Sequence, residues 1–139
     1  MKDEIRSALP HSDPFILPDR IIEIDEKGFI HAQKEIHPDD HFLQGHFDNN
    51  PVFPGVMLIE TMAQSAGVLL NRLNKESKIL FLARVQDARF KAPIVPSCVI
   101  DIKVNMIKHR NAIWVFDALI ELGGRITTLA QITLASGEG

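Results

Sequence analysis

A base, an oxyanion donor and an acid fall within one short stretch of this chain: His46, Gly55 and Glu60. His46 stands in Phe42-Leu43-Gln44-Gly45-His46-Phe47, among apolar residues that would draw the loop onto a core, and a neutral imidazole held there can accept a proton. Gly55 follows Pro54 where a helix begins. A free N–H at that end, reinforced by the helix dipole, can hold a developing oxyanion, and the missing side chain lets a carbonyl come close. The plainer reading is that the glycine eases the turn after the proline. Glu60 is a carboxyl in an apolar run, with Gln64 four residues on and so on the same helical face. Burying such a group is costly unless it is paired, protonated or used. It is either the partner of an arginine such as Arg20 or Arg84, or a general acid kept protonated by apolar surroundings. His37 and His41 read as plain surface. With Asp39 and Asp40 they match no compact zinc spacing, and no metal is expected.

These residues need a scaffold to bring them together. Ile21 to Asp25 alternates, with Ile22 and Ile24 against Glu23 and Asp25, as in a strand with one wet face. Lys27-Gly28 reads as a tight turn into a second strand, Phe29 to Ile36. From His37 to Pro54 the pattern dissolves into a loop of about eighteen residues, long enough to suspect a function. Pro54 then marks a helix start, since proline suits the first turn. From Gly55 to about Leu73 apolar residues go right round the cylinder, so the helix is expected to be buried on all sides. Four further strand-like stretches follow, about Ile79 to Phe90, Val99 to Lys108, Ala112 to Leu122 and Arg125 to Ala135. In the second of them Ile100, Ile102, Val104 and Met106 share one face, and Asp101, Lys103 and Asn105 the other. The pattern predicts an α+β domain in which one antiparallel sheet curls around one central helix.

The chain has 139 residues, 45% of them apolar, and 15 Lys and Arg against 18 Asp and Glu, a net charge of −3. That suits a single domain over residues 1–139. A mildly acidic balance with no basic run excludes duplex nucleic acid as an expected partner. No stretch approaches the ~18 unbroken apolar residues of a membrane span, and the first residues show no apolar signal stretch. The single cysteine, Cys98, cannot form an internal disulfide. Together these features point to a cytoplasmic protein.

Three blocks carry a family resemblance: Phe42-Leu43-Gln44-Gly45-His46-Phe47, Pro51-Val52-Phe53-Pro54-Gly55-Val56 and Ile59-Glu60-Thr61-Met62-Ala63-Gln64. They resemble the signature of the 3-hydroxyacyl-acyl-carrier-protein dehydratases of FabZ type. The likeness extends upstream to His11-Ser12-Asp13-Pro14-Phe15-Ile16-Leu17-Pro18-Asp19-Arg20 and downstream to Ala88-Arg89-Phe90-Lys91-Ala92-Pro93 and Pro96-Ser97-Cys98. It implies the hot-dog fold, an antiparallel β-sheet wrapped around a long central α-helix. It also implies His46 and Glu60 as catalytic base and acid, drawn from different subunits of a homodimer, and the Gly55 amide as the group that polarises the thioester. Three dimers commonly form a hexamer in this family. Glu rather than Asp at position 60 resembles the FabZ branch and not the isomerising FabA branch.

The reaction implied is loss of water from a (3R)-3-hydroxyacyl group carried on acyl carrier protein, giving the trans-2-enoyl thioester of fatty acid biosynthesis. Elimination changes no redox state, and no cofactor is expected. Phe53, Met57, Leu58 and Ile59 are candidates to line an acyl tunnel, although each is by default core. Acyl carrier protein is acidic, so Arg84, Arg89, Lys91, Lys108 and Arg110 are candidates to dock it. The chain departs from the family at Asp48, where proline is usual, and at Phe53, where methionine is common. It departs again at Ala92, where arginine is frequent, and at Ser97-Cys98, where Gly-Asp is frequent. Rival readings are a hot-dog thioesterase, a non-catalytic acyl-binding module, and a dehydratase of a dedicated lipid or polyketide pathway.

Overall fold

Alternating apolar and polar residues set the frame. The computed structural model describes Ile5, Leu9 and residues 16–40, 52–74 and 79–137. In it β1 (Arg20–Asp25) and β2 (Phe29–Ile36) form a hairpin closed at Gly28, whose amide donates to the Asp25 carbonyl at 2.9 Å. Helix α1 (Gly55–Asn74) follows, then β3 (Leu80–Phe90), β4 (Cys98–Arg110), β5 (Ile113–Leu122) and β6 (Arg125–Ser136). The strands lie in the order β1-β2-β4-β5-β6-β3, each antiparallel to its neighbour. Gly123 and Gly124, both at positive φ, make the tight β5–β6 turn, in a conformation that a side chain would strain.

One face of the sheet is sealed from water. Ile30 and Ile36 of β2, Ile100 and Ile102 of β4, Phe116 of β5 and Ile132 of β6 are at most 1% exposed, and they join Met62, Ala66 and Leu69 of α1 in one core. The helix is buried from Thr61 to Leu70 on every side and touches β2 through β6. Leu9 closes on it at Gly67, where a Cβ would come within 3.3 Å of the leucine methyl. A sheet wrapped round a helix that is apolar on all sides is the hot-dog arrangement, as the sequence pattern predicted. Among the described residues no helix is long and apolar enough to cross a membrane.

Strand β1 departs from its simple alternation. Its register to β2 slips between Ile21 and Glu23, so that Ile21 faces Ala32 and Ile24 faces Ile30. The extra residue is Ile22, which stands 48% exposed instead of sharing the buried face with Ile24. A β-bulge inserts one residue and reverses the phase of everything before it. At the opposite edge, β3 pairs only with β6, and nearly all its residues are exposed on both faces, Phe81, Leu82, Val85 and Phe90 among them.

Candidate active site

The start of helix α1 meets the end of β3. A Cβ on Gly55 would lie 3.0–3.3 Å from three atoms of the Phe90 ring, so glycine is what lets that ring close over the helix start. The space expected to admit a carbonyl is thus partly taken by Phe90. The amides of Met57 and Leu58 donate to the Pro54 carbonyl at 3.0 and 3.2 Å. The Gly55 amide has no carbonyl one turn earlier, and no described residue accepts from it. It sits at the positive end of a helix of 20 residues.

A cavity of about 440 Å³ opens at this junction, with Phe53, Gly55 and Leu58 on one side and Phe90, Pro93 and Ile94 on the other. That volume falls within the range of small-molecule sites. Backbone hydrogen bonds join its walls. The Phe53 N–H donates to the Ile94 carbonyl at 2.8 Å, and the amides of Lys91 and Ala92 both donate to the Thr127 carbonyl, at 2.7 and 3.4 Å. Ala92 is itself part of the wall. Of the four tunnel candidates, Phe53 and Leu58 line this cavity, whereas Met57 packs against the core and Ile59 is buried within it. Successive helical residues point about 100° apart, so Met57, Leu58 and Ile59 cannot share one wall.

Glu60 is half-buried and lies elsewhere on the helix. Its Oε2 accepts from the Gln64 Nε2 at 3.0 Å, and the Gln64 Oε1 accepts from the Leu17 N–H at 2.9 Å. The backbone of Leu17 therefore fixes which way the Gln64 amide turns, leaving its NH2 for Glu60. Gln64 is itself 2% exposed. The two arginines named as partners for Glu60 are engaged elsewhere or stand in solvent. The Arg20 guanidinium is taken up by the Gln33 side-chain oxygen at 2.8 Å and by Glu35 at 3.4 Å, on the outer face of the sheet, and Arg84 stands exposed on β3.

His46, with His41 and Asp48, lies outside the described residues. His37 is in a turn at the end of β2, where its N–H donates to Asp40 at 2.9 Å and its ring meets Glu35 at 3.3 Å. Burial pushes the Cys98 thiol above its ordinary value, which leaves it a poor nucleophile. Arg89 and Lys91 flank Phe90 in sequence, but neither lines the cavity. Arg84 and Lys108 share one transverse row of the outer face through Thr133 and Val115, and Arg110 stands further along β4. Arg89 also borders a second groove of about 490 Å³ on the outer face, between Lys103, Leu119 and Leu129.

One buried group near the cavity was not singled out from the sequence. Lys34, in the inward-facing phase of β2, is 7% exposed, and its ammonium lies 5.9 Å from the centre of the Phe53 ring. The signal was there: a lysine interrupts the inward series Ile30, Ala32, Ile36.

Residues 9–131 match the family model described as a FabA-like domain. The 3-hydroxyacyl-[acyl-carrier-protein] dehydratase FabZ of Dichelobacter nodosus is 37% identical over 148 residues, covering 99% of this chain and 97% of that one. The FabZ dehydratase of Teredinibacter turnerae is 38% identical over 136 residues, covering 95% and 93%. Among solved structures, the dehydratase heterocomplex ApeI:P from Xenorhabdus doucetiae matches with a TM-score of 0.84 over 96% of this chain and 91% of that one, at 22% identity, a likeness of fold.

Proposed function

This chain belongs to the FabA-like family, and from that premise we propose that it removes water from a (3R)-3-hydroxyacyl thioester on acyl carrier protein, giving the trans-2-enoyl thioester in fatty acid biosynthesis. The observation that carries the reading is the Gly55 amide, which has no acceptor among the described residues, at the wall of an apolar cavity. The α-proton of a thioester is weakly acidic, so the carbonyl oxygen must be stabilised as negative charge develops on it. A helix-start amide does this without reorganising. His46 takes the α-proton. Glu60, whose Oε2 accepts from Gln64, acts as the general acid that gives a proton to the departing 3-hydroxyl, and water leaves.

Two subunits complete each site. The Gly55 N–H points along the axis out of the helix start, while Glu60 projects from the side of the helix about 7.5 Å further along, so amide and acid face different directions within one chain. The exposed apolar strand β3 is the edge through which a second copy pairs, making one continuous sheet and setting the acid of one protomer toward the cavity of the other. Three such dimers form the hexamer. Acyl carrier protein docks on the basic residues Arg89 and Lys91, next to Phe90 in sequence, with Arg84, Lys108 and Arg110 extending the basic surface. The enzyme works in the cytoplasm as a single domain over residues 1–139.

Incubating the protein with a 3-hydroxyacyl carrier thioester distinguishes this reaction from hydrolysis of the same bond. Dehydration raises the ultraviolet absorbance of the conjugated enoyl thioester with no free thiol. Release of thiol without that absorbance would identify a thioesterase.

A further inference from the structure

We propose that Lys34 is a positioning residue for the dehydration: its buried ammonium clamps the Phe53 ring and thereby fixes the segment that presents the Gly55 amide. This deepens the reading of Gly55 as the group that holds the thioester oxygen, and rests on it.

Lys34 occupies a place built for an apolar side chain. Its neighbours on the same face of β2, Ala32 and Ile36, are each 1% exposed, and Ile100, its register partner on β4, is 0% exposed. Desolvating a cation there is costly, and an apolar side chain of the same length would fill the space without that cost. A charge kept there needs partners to offset that cost.

The geometry supplies one. The ammonium lies 5.9 Å from the Phe53 ring centre, within the range at which an aromatic face attracts a cation, and Phe53 is only 1% exposed, so little water screens the contact. Phe53 is held a second time through its backbone, by the 2.8 Å hydrogen bond from its N–H to the Ile94 carbonyl. Ring and amide are thus fixed from two places, strand β2 and the segment that joins β3 to β4. Two residues further on is Gly55, with only Pro54 between. Restraining Phe53 restrains the amide, and a misplacement of about 1 Å in such a group can cost on the order of 100-fold in rate.

Two readouts test this, and only one depends on catalysis. In Lys34→Met, hydrogen exchange of the amides from Phe53 to Leu58 should rise while exchange in β4 and β5 stays native. On a 3-hydroxyacyl thioester kcat should fall on the order of tenfold or more, with KM within about threefold. Lys34→Arg keeps the cation and should keep both the slow exchange and most of kcat. If the methionine variant does not fold, the arginine variant decides alone: native values in both readouts support the clamp, and loss of either overturns it. Unchanged exchange and kcat in a folded Lys34→Met protein also overturn it. Faster exchange in that variant, with no enoyl product from the native chain, would instead sink the dehydratase reading and leave the clamp standing.

Discussion

At the level of single residues, the chemistry depends on how Gln64 is turned. Its oxygen is committed to the Leu17 amide, so the face it shows Glu60 can only donate. A glutamine in place of Glu60 can still accept that hydrogen bond, which separates structure from catalysis. Glu60→Gln should therefore melt within a few degrees of the native chain while kcat falls on the order of 100-fold or more, read from thermal unfolding and enoyl absorbance. Loss of the fold instead would return Glu60 to a structural role. The pairing of Glu60 with Gln64 was legible from their spacing, because i and i+4 share a face whatever surrounds them. The anchor at Leu17 was not, since 47 residues separate it from Gln64 and no local pattern records such a contact. Gly55 was legible as a helix start, but not as the seat of the Phe90 ring, for the same reason.

At the level of elements, the outer face of the sheet carries its own polar network. The Asp101 carboxylate accepts from His31 at 2.7 Å and from Gln33 at 2.8 Å. Partial burial pushes Asp101 up, but these hydrogen bonds and the charges of His31 and Lys103 outweigh it and hold the carboxyl below its ordinary value. A lowered carboxylate stabilises the fold above its unfolded value, and that contribution fades as pH falls through the lower, folded one. Asp101→Asn should accordingly cost about 1 kcal/mol near pH 7, and the gap to the native chain should close at acid pH. Urea unfolding followed by the single tryptophan, Trp114, buried in β5, reads this directly, and a gap independent of pH would contradict it. Lys103, held by Glu121 at 2.6 Å and raised by that hydrogen bond, has the opposite sign and loses its contribution only at alkaline pH. Strand positions were legible because two-residue periodicity survives in β2, β4, β5 and β6. In β1 it misled, since the bulge at Ile22 changes phase without any glycine or proline to mark it.

At the level of the whole molecule, β3 is a long apolar edge that no described residue covers, and an uncovered edge of that kind is an association surface. A lysine there opposes strand pairing. Val85→Lys, at a position 38% exposed in the single chain, should shift the protein toward monomer in sedimentation, with activity falling in step with the dimer lost. Native activity in a monomer would place the whole site in one chain. Alternation alone did not reveal this edge, because a strand-like stretch from about Ile79 to Phe90 carries no local mark of its position in the sheet. Mixing His46→Ala with Glu60→Gln chains tests the shared site most directly. Random pairing makes about half the dimers mixed, each with one site of two intact, so about a quarter of native activity should return from two variants that are inactive alone. Activity no greater than the sum of the two separate variants would show that base and acid belong to the same chain.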